Sequence, residues 1–267
     1  MSASNGSIRF LCPVAPQSDR PLLVYLPGMD GTGHLFGLQA RDLARQFDIR
    51  CLSIPRDDTS SWERLVEKTS ELISKVLATK SERSVYLCGE SFGGCLGLQV
   101  ALHYPQLVHR LITINPASSF ARRSWLGWGV PFVHQMSQSV YQFASIGLLP
   151  FLGSLGRMNS NDRQALLQAM KSVSPQTASW RISLLQQFEA SADWLSRISQ
   201  PVLAIAGGSD CVLPSVEEVK RLVNLIPDAR QFILPDSGHA CLLERDVNLY
   251  RILHATEFLP EGVKVSQ

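Results

Sequence analysis

The sequence predicts a doubly wound α/β domain on a mainly parallel sheet, and three observations lead there. Short apolar runs recur along the chain, segments with helical periodicity separate most of them, and one run ends in a glycine-flanked serine where helical spacing begins. Runs that are apolar at nearly every position suit parallel strands buried on both faces, whereas strands with one wet face alternate. At 267 residues, with 45% hydrophobic and 18% charged content, a single large domain can bury such a core.

The elements follow in order. Residues 7–13 form a weak first strand, and "PLLVYLPG" (21–28) is a stronger one ending in a turn. A helix-like 36–46 precedes the strand "FDIRCLSIP" (47–55). Over 61–79 the residues Leu65, Leu72, Val76 and Leu77 fall on one helical face. Further strands are expected at 84–90, 110–117, 201–210 and 229–239, and "PEGVKVSQ" reads as a frayed tail.

The alternation fails between about Ala117 and Ser199, which marks an insertion. The expected division is a core of 1–119 and 199–267 with a helical cap at 120–198. From Ser124 to Gly156 the cap carries no Lys, Arg, Asp or Glu, yet it holds Trp125, Trp128, Phe132, Tyr141, Phe143 and Phe151. Pro131, Pro150, several glycines and three glutamines interrupt this stretch, which argues against a membrane span. An apolar cap over a pocket, able to meet a lipid surface, is the expectation, with Trp125 and Phe132 touching substrate. Two ordinary helices, 160–172 and 175–190, complete it.

The formal net charge of +2 arises from 25 basic and 23 acidic residues spread along the chain. Without a dense basic cluster, a nucleic-acid partner is not expected. Six scattered cysteines lack the paired spacing that holds zinc and read as buried thiols in a reducing compartment. The N-terminus shows no signal-peptide pattern, so a protein that is not secreted is expected.

The pattern Gly89-Glu90-Ser91-Phe92-Gly93, with Gly94 after it, follows a strand and opens a helix. Three fixed positions occur by chance in roughly one in ten chains of this length, so the strand–turn–helix context carries the assignment. That context is a nucleophile elbow, whose flanking glycines leave space where a Cβ would clash. A serine hydroxyl needs an imidazole to take its proton and a carboxylate to orient that imidazole. His239, in "LPDSGHACLLE", follows the last strand, and His34 is its one serious rival. Asp210 ends the strand "PVLAIAGGSD"; Asp236, three residues before His239, is the alternative acid. The order Ser, Asp, His favours Asp210.

Two backbone N–H groups would meet a developing oxyanion, those of Phe92 and of Met29 in the glycine-rich "LPGMDGTGHLFG". In that loop Asp30 and His34 are candidate substrate contacts. The loop has neither Gly-x-Gly-x-x-Gly nor a Gly-Lys-Ser/Thr ending, so phosphate binding is not expected. Glu90 either acts electrostatically on the imidazole and elbow or merely packs, and the Phe92 side chain either packs or walls the pocket. No metal or organic cofactor is required.

With these residues placed, the chain resembles the α/β-hydrolase superfamily over nearly its whole length. Within it, "YLPGMDGTGHLF", "CGESFGGCLGLQVA" and "NPASSF" resemble the hydrolase half of the plastid and cyanobacterial phytyl ester synthase/diacylglycerol acyltransferase family. The resemblance implies an α/β-hydrolase fold with a helical cap after the sixth strand, with Ser91, Asp210 and His239 at the nucleophile, acid and base positions. It also implies acyl-lipid or other ester substrates and a place in the cytoplasm or peripherally on an internal membrane of the thylakoid or plastid type. Longer members carry a second, acyltransferase-like region with a His-x₄-Asp motif. This sequence ends before such a region, so hydrolysis to free acid is the expectation, with acyl transfer to a long-chain alcohol or glycerolipid as the alternative. A non-catalytic ligand-binding α/β-hydrolase is a third reading.

Overall fold

The computed structural model describes residues 6–78, 83–122 and 136–260. All seven expected strands are present, each shorter than its apolar run because the run ends turn into loops. They are β1 (Arg9–Leu11), β2 (Leu22–Leu26), β3 (Asp48–Ser53), β4 (Val85–Glu90), β5 (Arg110–Ile114), β6 (Val202–Gly207) and β7 (Ala229–Leu234). They form one sheet in the order β1-β3-β2-β4-β5-β6-β7. Only β1 runs antiparallel, against β3. Central β4 lies between β2 and β5, and all six of its residues are buried. Edge strand β7 departs from the both-faces-buried expectation, since Arg230 and Gln231 are exposed.

Crossover helices cover both faces: α1 (Gly37–Leu43), α2 (Trp62–Leu77) and α3 (Phe92–His103). Helix α2 starts where the Ser61 hydroxyl caps the Arg64 N–H, with Glu63 in its first turn complementing the dipole. Its buried face runs through Trp62, Leu65, Val66, Thr69 and Ile73, while Leu72, Val76 and Leu77 are only partly buried. The expected stripe is therefore rotated, because Trp62 anchors the helix against the core. Helix α3 begins at Phe92, directly after Ser91, and is buried on nearly every side.

Between β5 and β6 lie α4 (Gln138–Leu152), α5 (Ser160–Ser172), α6 (Pro175–Gln187) and the short α7 (Ala192–Leu195). In this sheet the inserted segment leaves after the fifth strand, not the sixth, because a single antiparallel strand precedes the parallel set. Helix α4 continues through Pro150 into its last turn, where the proline removes one i→i−4 hydrogen bond near the helix end. Among the described residues no helix is long and apolar enough to cross a membrane. Helix α6 is tied to the core by the Trp62 indole donating to Leu184 O at 2.9 Å and the Trp180 indole donating to Ser60 O at 3.1 Å. After β6 come α8 (Ser215–Leu225) and, after β7, α9 (Leu249–Ala255). Cys51, Cys88, Cys95 and Cys241 are buried thiols, but Cys12 and Cys211 are exposed, since both sit in loops beyond strand ends.

Candidate active site

At the end of β4 the chain must turn from strand to helix within one residue, and Ser91 makes that turn with φ 53° and ψ −112°. A non-glycine residue at positive φ is strained and persists only where its surroundings dictate it. Here they do. The Ser91 N–H donates to Ile114 O at 2.9 Å, and its carbonyl accepts from Gly94 and Ala117 at 3.0 and 3.1 Å. The flanking glycines are needed sterically: a Cβ at Gly89 would lie 2.2 Å from Gly93 O, and one at Gly93 would lie 2.0 Å from Leu26 O.

The loops after β6 and β7 bring two more side chains to this edge. His239 Nε2 lies 3.0 Å from Ser91 Oγ, and its Nδ1 lies 2.8 Å from Asp210 Oδ2. The Val212 and Leu213 N–H groups donate to Asp210 Oδ1 at 2.8 and 3.1 Å, and the Ser215 hydroxyl donates to Oδ2 at 2.5 Å. Burial alone would raise the Asp210 pKa, but the His239 and Ser215 contacts outweigh it and hold the carboxyl below its ordinary value. Burial likewise opposes a charged His239, yet the Asp210 hydrogen bond and the charges of Asp210 and Glu90 prevail and raise its pKa. The rival acid, Asp236, has an exposed side chain that pairs loosely with Arg157 at 3.8 Å. The rival base, His34, is exposed at the start of a 3₁₀ turn.

Glu90 does more than pack. It accepts from the buried Tyr25 hydroxyl at 2.5 Å, and burial pushes its pKa up to about 7, opposed by Tyr25 and His239 and assisted by Asp30. The Phe92 side chain is fully buried and stacks on Trp62 at 4.5 Å between centroids, so it packs in the core rather than lining the pocket. As the first helical residue, Phe92 has an N–H with no intrahelical acceptor. The Gly28–Asp30 turn sits beside Ser91: a Cβ at Gly28 would lie 3.8 Å from both Ser91 Cβ and Asp30 Oδ1. Asp30 is half-buried and accepts from the Thr32 N–H and hydroxyl at 2.8 and 2.5 Å. Trp125 and Phe132 lie outside the described residues. Among the described residues no cluster of His, Cys, Asp or Glu could hold a metal ion.

Three residues that sequence reasoning missed brace this edge. Buried Asn115, at φ 43° just past β5, donates to His239 O at 2.7 Å and accepts from the Gly207 N–H at 2.7 Å. The Asn-Pro pair in "INPASS" was its only signal, since Asn tolerates left-handed backbone better than most residues. Glu244, fully buried, accepts from the Gly238 N–H at 2.8 Å and faces Arg157 of the inserted segment at 3.0 Å. Arg181 of α6 donates to Met29 O at 2.6 Å and Pro55 O at 3.0 Å. Neither of these two carries a local sequence signal.

Fold and site together define a hydrolase scaffold. A family model described as alpha/beta hydrolase fold matches residues 21–246, and the chain belongs to that family. It is 31% identical over 282 residues to phytyl ester synthase 1, chloroplastic, of Arabidopsis thaliana, covering 96% of this chain and 40% of that protein. The chain thus spans about two fifths of the length of that curated relative. It is also 26% identical to the pimeloyl-[acyl-carrier protein] methyl ester esterase of Vibrio campbellii, covering 82% of this chain and 88% of the esterase. Among solved structures, MenH from S. aureus superposes with a TM-score of 0.75 at 17% identity, covering 94% of this chain and 97% of that one.

Proposed function

We propose that this protein is a serine carboxylester hydrolase acting on apolar acyl esters through an acyl-enzyme intermediate. The observation that carries the reading is the relay in which His239 lies 3.0 Å from Ser91 Oγ on one side and 2.8 Å from Asp210 on the other. His239 Nε2 takes the Ser91 proton as Oγ attacks the ester carbonyl. The negative charge that develops on the carbonyl oxygen is met by the N–H groups of Met29 and Phe92. The imidazolium, stabilised by Asp210, then protonates the leaving alcohol as the C–O bond breaks. Water, deprotonated by the same imidazole, attacks the acyl-serine and releases the acid, and Ser91 regains its proton.

In this reading residues 120–198 form the cap, and Asp30, His34, Trp125 and Phe132 contact substrate. Support for an apolar acyl group comes from α4, whose Val140, Phe143, Ile146 and Phe151 are all exposed in a stretch without charge. Such a face suits peripheral contact with the lipid surface that would present the substrate. The likeness to a phytyl ester synthase favours a second reading, in which a long-chain alcohol replaces water as acyl acceptor.

The test is to incubate wild type and Ser91→Ala with short esters, acylglycerols, galactolipids and phytyl esters, with and without free alcohol. The expected result is free acid from lipid esters, lowered at least about 10³-fold in Ser91→Ala. Diversion of the acyl group into a new ester would establish transfer, and preference for short soluble esters would sink the lipid assignment. If folded wild type turns over none of these and Ser91 escapes fluorophosphonate labelling, the chain is a binding protein.

A further inference from the structure

A buried cation that the proposed chemistry does not use reaches the oxyanion loop from the cap. Arg181 is 2% exposed, and its guanidinium bridges two main-chain carbonyls, Met29 O in the loop beside Ser91 and Pro55 O past β3. Room for it comes from Gly31, at φ +70°, where a Cβ would lie 2.7 Å from Nη1. The same loop is pinned at a second point, where the Ile54 N–H donates to Gly31 O at 2.7 Å. Asp30, beside Met29, attracts the Arg181 charge, and Tyr141 of α4 lies within electrostatic reach of it.

We propose that Arg181 is a positioning residue that, by holding the Met29 carbonyl, fixes the loop with the adjoining Met29 N–H in oxyanion-binding geometry, so that a cap helix completes the hydrolytic site. This rests on the proposed function above. The physical case has two parts. A guanidinium presents a rigid planar fork, so two carbonyls held by one head fix the loop in direction as well as distance. Asp30 also places a carboxylate beside the point where negative charge would build on the substrate, and the Arg181 cation offsets it. An interaction of this kind matters more in the transition state than in the ground state, so its loss should fall on kcat and leave KM nearly unchanged.

The experiment compares wild type, Arg181→Met, Arg181→Lys and Trp180→Phe. Trp180→Phe removes the neighbouring tie to Ser60 O without touching the oxyanion loop. Readouts are melting temperature, kcat and KM on a 4-nitrophenyl ester, and affinity for an alkyl boronic acid, which forms a tetrahedral anion on Ser91. Both Arg181 variants should lose about tenfold or more in kcat and boronate affinity, with KM within about twofold. Lysine should lose less than methionine, because its single ammonium keeps the charge but cannot bridge both carbonyls. Trp180→Phe should lower the melting temperature and leave kcat alone. If Arg181→Met fails to fold, Arg181→Lys decides by the same criteria. A folded variant with wild-type kcat and boronate affinity overturns the proposal, as does an equal kcat loss in Trp180→Phe. If wild type turns over no ester, the function fails separately. The rate of Ser91 phosphonylation by a fluorophosphonate then decides: about tenfold slowing in the variants supports the positioning role and equal rates overturn it.

Discussion

Two anionic groups face His239 with different consequences for pH. Asp210 holds the outer nitrogen, while Glu90 acts through space from the residue before Ser91. In the proposed mechanism the imidazole works as a base only when neutral, and its pKa is raised above 6.5, so turnover should climb with pH through a midpoint above 6.5. Glu90→Gln removes one of the charges favouring the imidazolium, and the rising limb of kcat/KM should move to lower pH; an unmoved limb would show that Glu90 leaves the base untouched. Stability should respond as well. A carboxyl raised to about 7 in the fold gives a contribution that is complete below its ordinary value of 4.5 and lost as pH rises to about 7. Melting curves should therefore show wild type losing ground to Glu90→Gln between pH 5 and pH 8, and a constant difference would contradict it. Ser91, Asp210 and His239 were legible because chemistry selects their residue types and strand ends select their places. Arg181 was not, since the carbonyl it holds at Met29 lies 152 positions away and any buried cation reads locally as a surface one.

At the scale of elements, the elbow and α4 make opposite demands. The elbow tolerates no added atom. Gly93→Ala would push a methyl to 2.0 Å from Leu26 O in β2 and should cost about 3 kcal/mol or more, read as a large fall in melting temperature or loss of folded protein. A variant that melts like wild type would refute the close approach of β2 and α3. Among the described residues helix α4 carries most of the exposed large apolar side chains, with Phe143 77% exposed. Replacing Phe143 and Ile146 by serine should weaken sedimentation with phospholipid vesicles severalfold while sparing turnover of a soluble ester. Equal sedimentation would remove the lipid-surface role. The elbow could be read from three glycines and a serine because its geometry is local. Continuation of α4 through Pro150 could not, since proline inside a helix removes an i→i−4 hydrogen bond and reads locally as a helix breaker.

The molecule as a whole joins a sheet readable from its apolar runs to an insertion whose arrangement was not readable. The inner strands follow from apolar runs buried on both faces and the edge strands β1 and β7 from shorter or partly exposed apolar runs, so all seven were expected, and the parallel class followed from the helices between them. Seating of the insertion was hidden because it depends on long-range contacts to buried main chain. The Trp62 indole reaches Leu184 O, the Arg181 guanidinium reaches Met29 O, and the Ala240 N–H donates to Leu152 O at 2.6 Å. These ties fasten the inserted segment to both the Met29 loop and the His239 loop. The central claim is that Ser91 carries the acyl group during turnover, and the direct measurement is to trap it. Wild type and Ser91→Ala are mixed with a slowly deacylating 4-nitrophenyl ester, quenched in acid, digested and mapped by mass spectrometry. The expected result is the acyl mass on the peptide containing Ser91 in wild type and none in the variant. An acyl group on another residue, or undiminished turnover by Ser91→Ala, would contradict it.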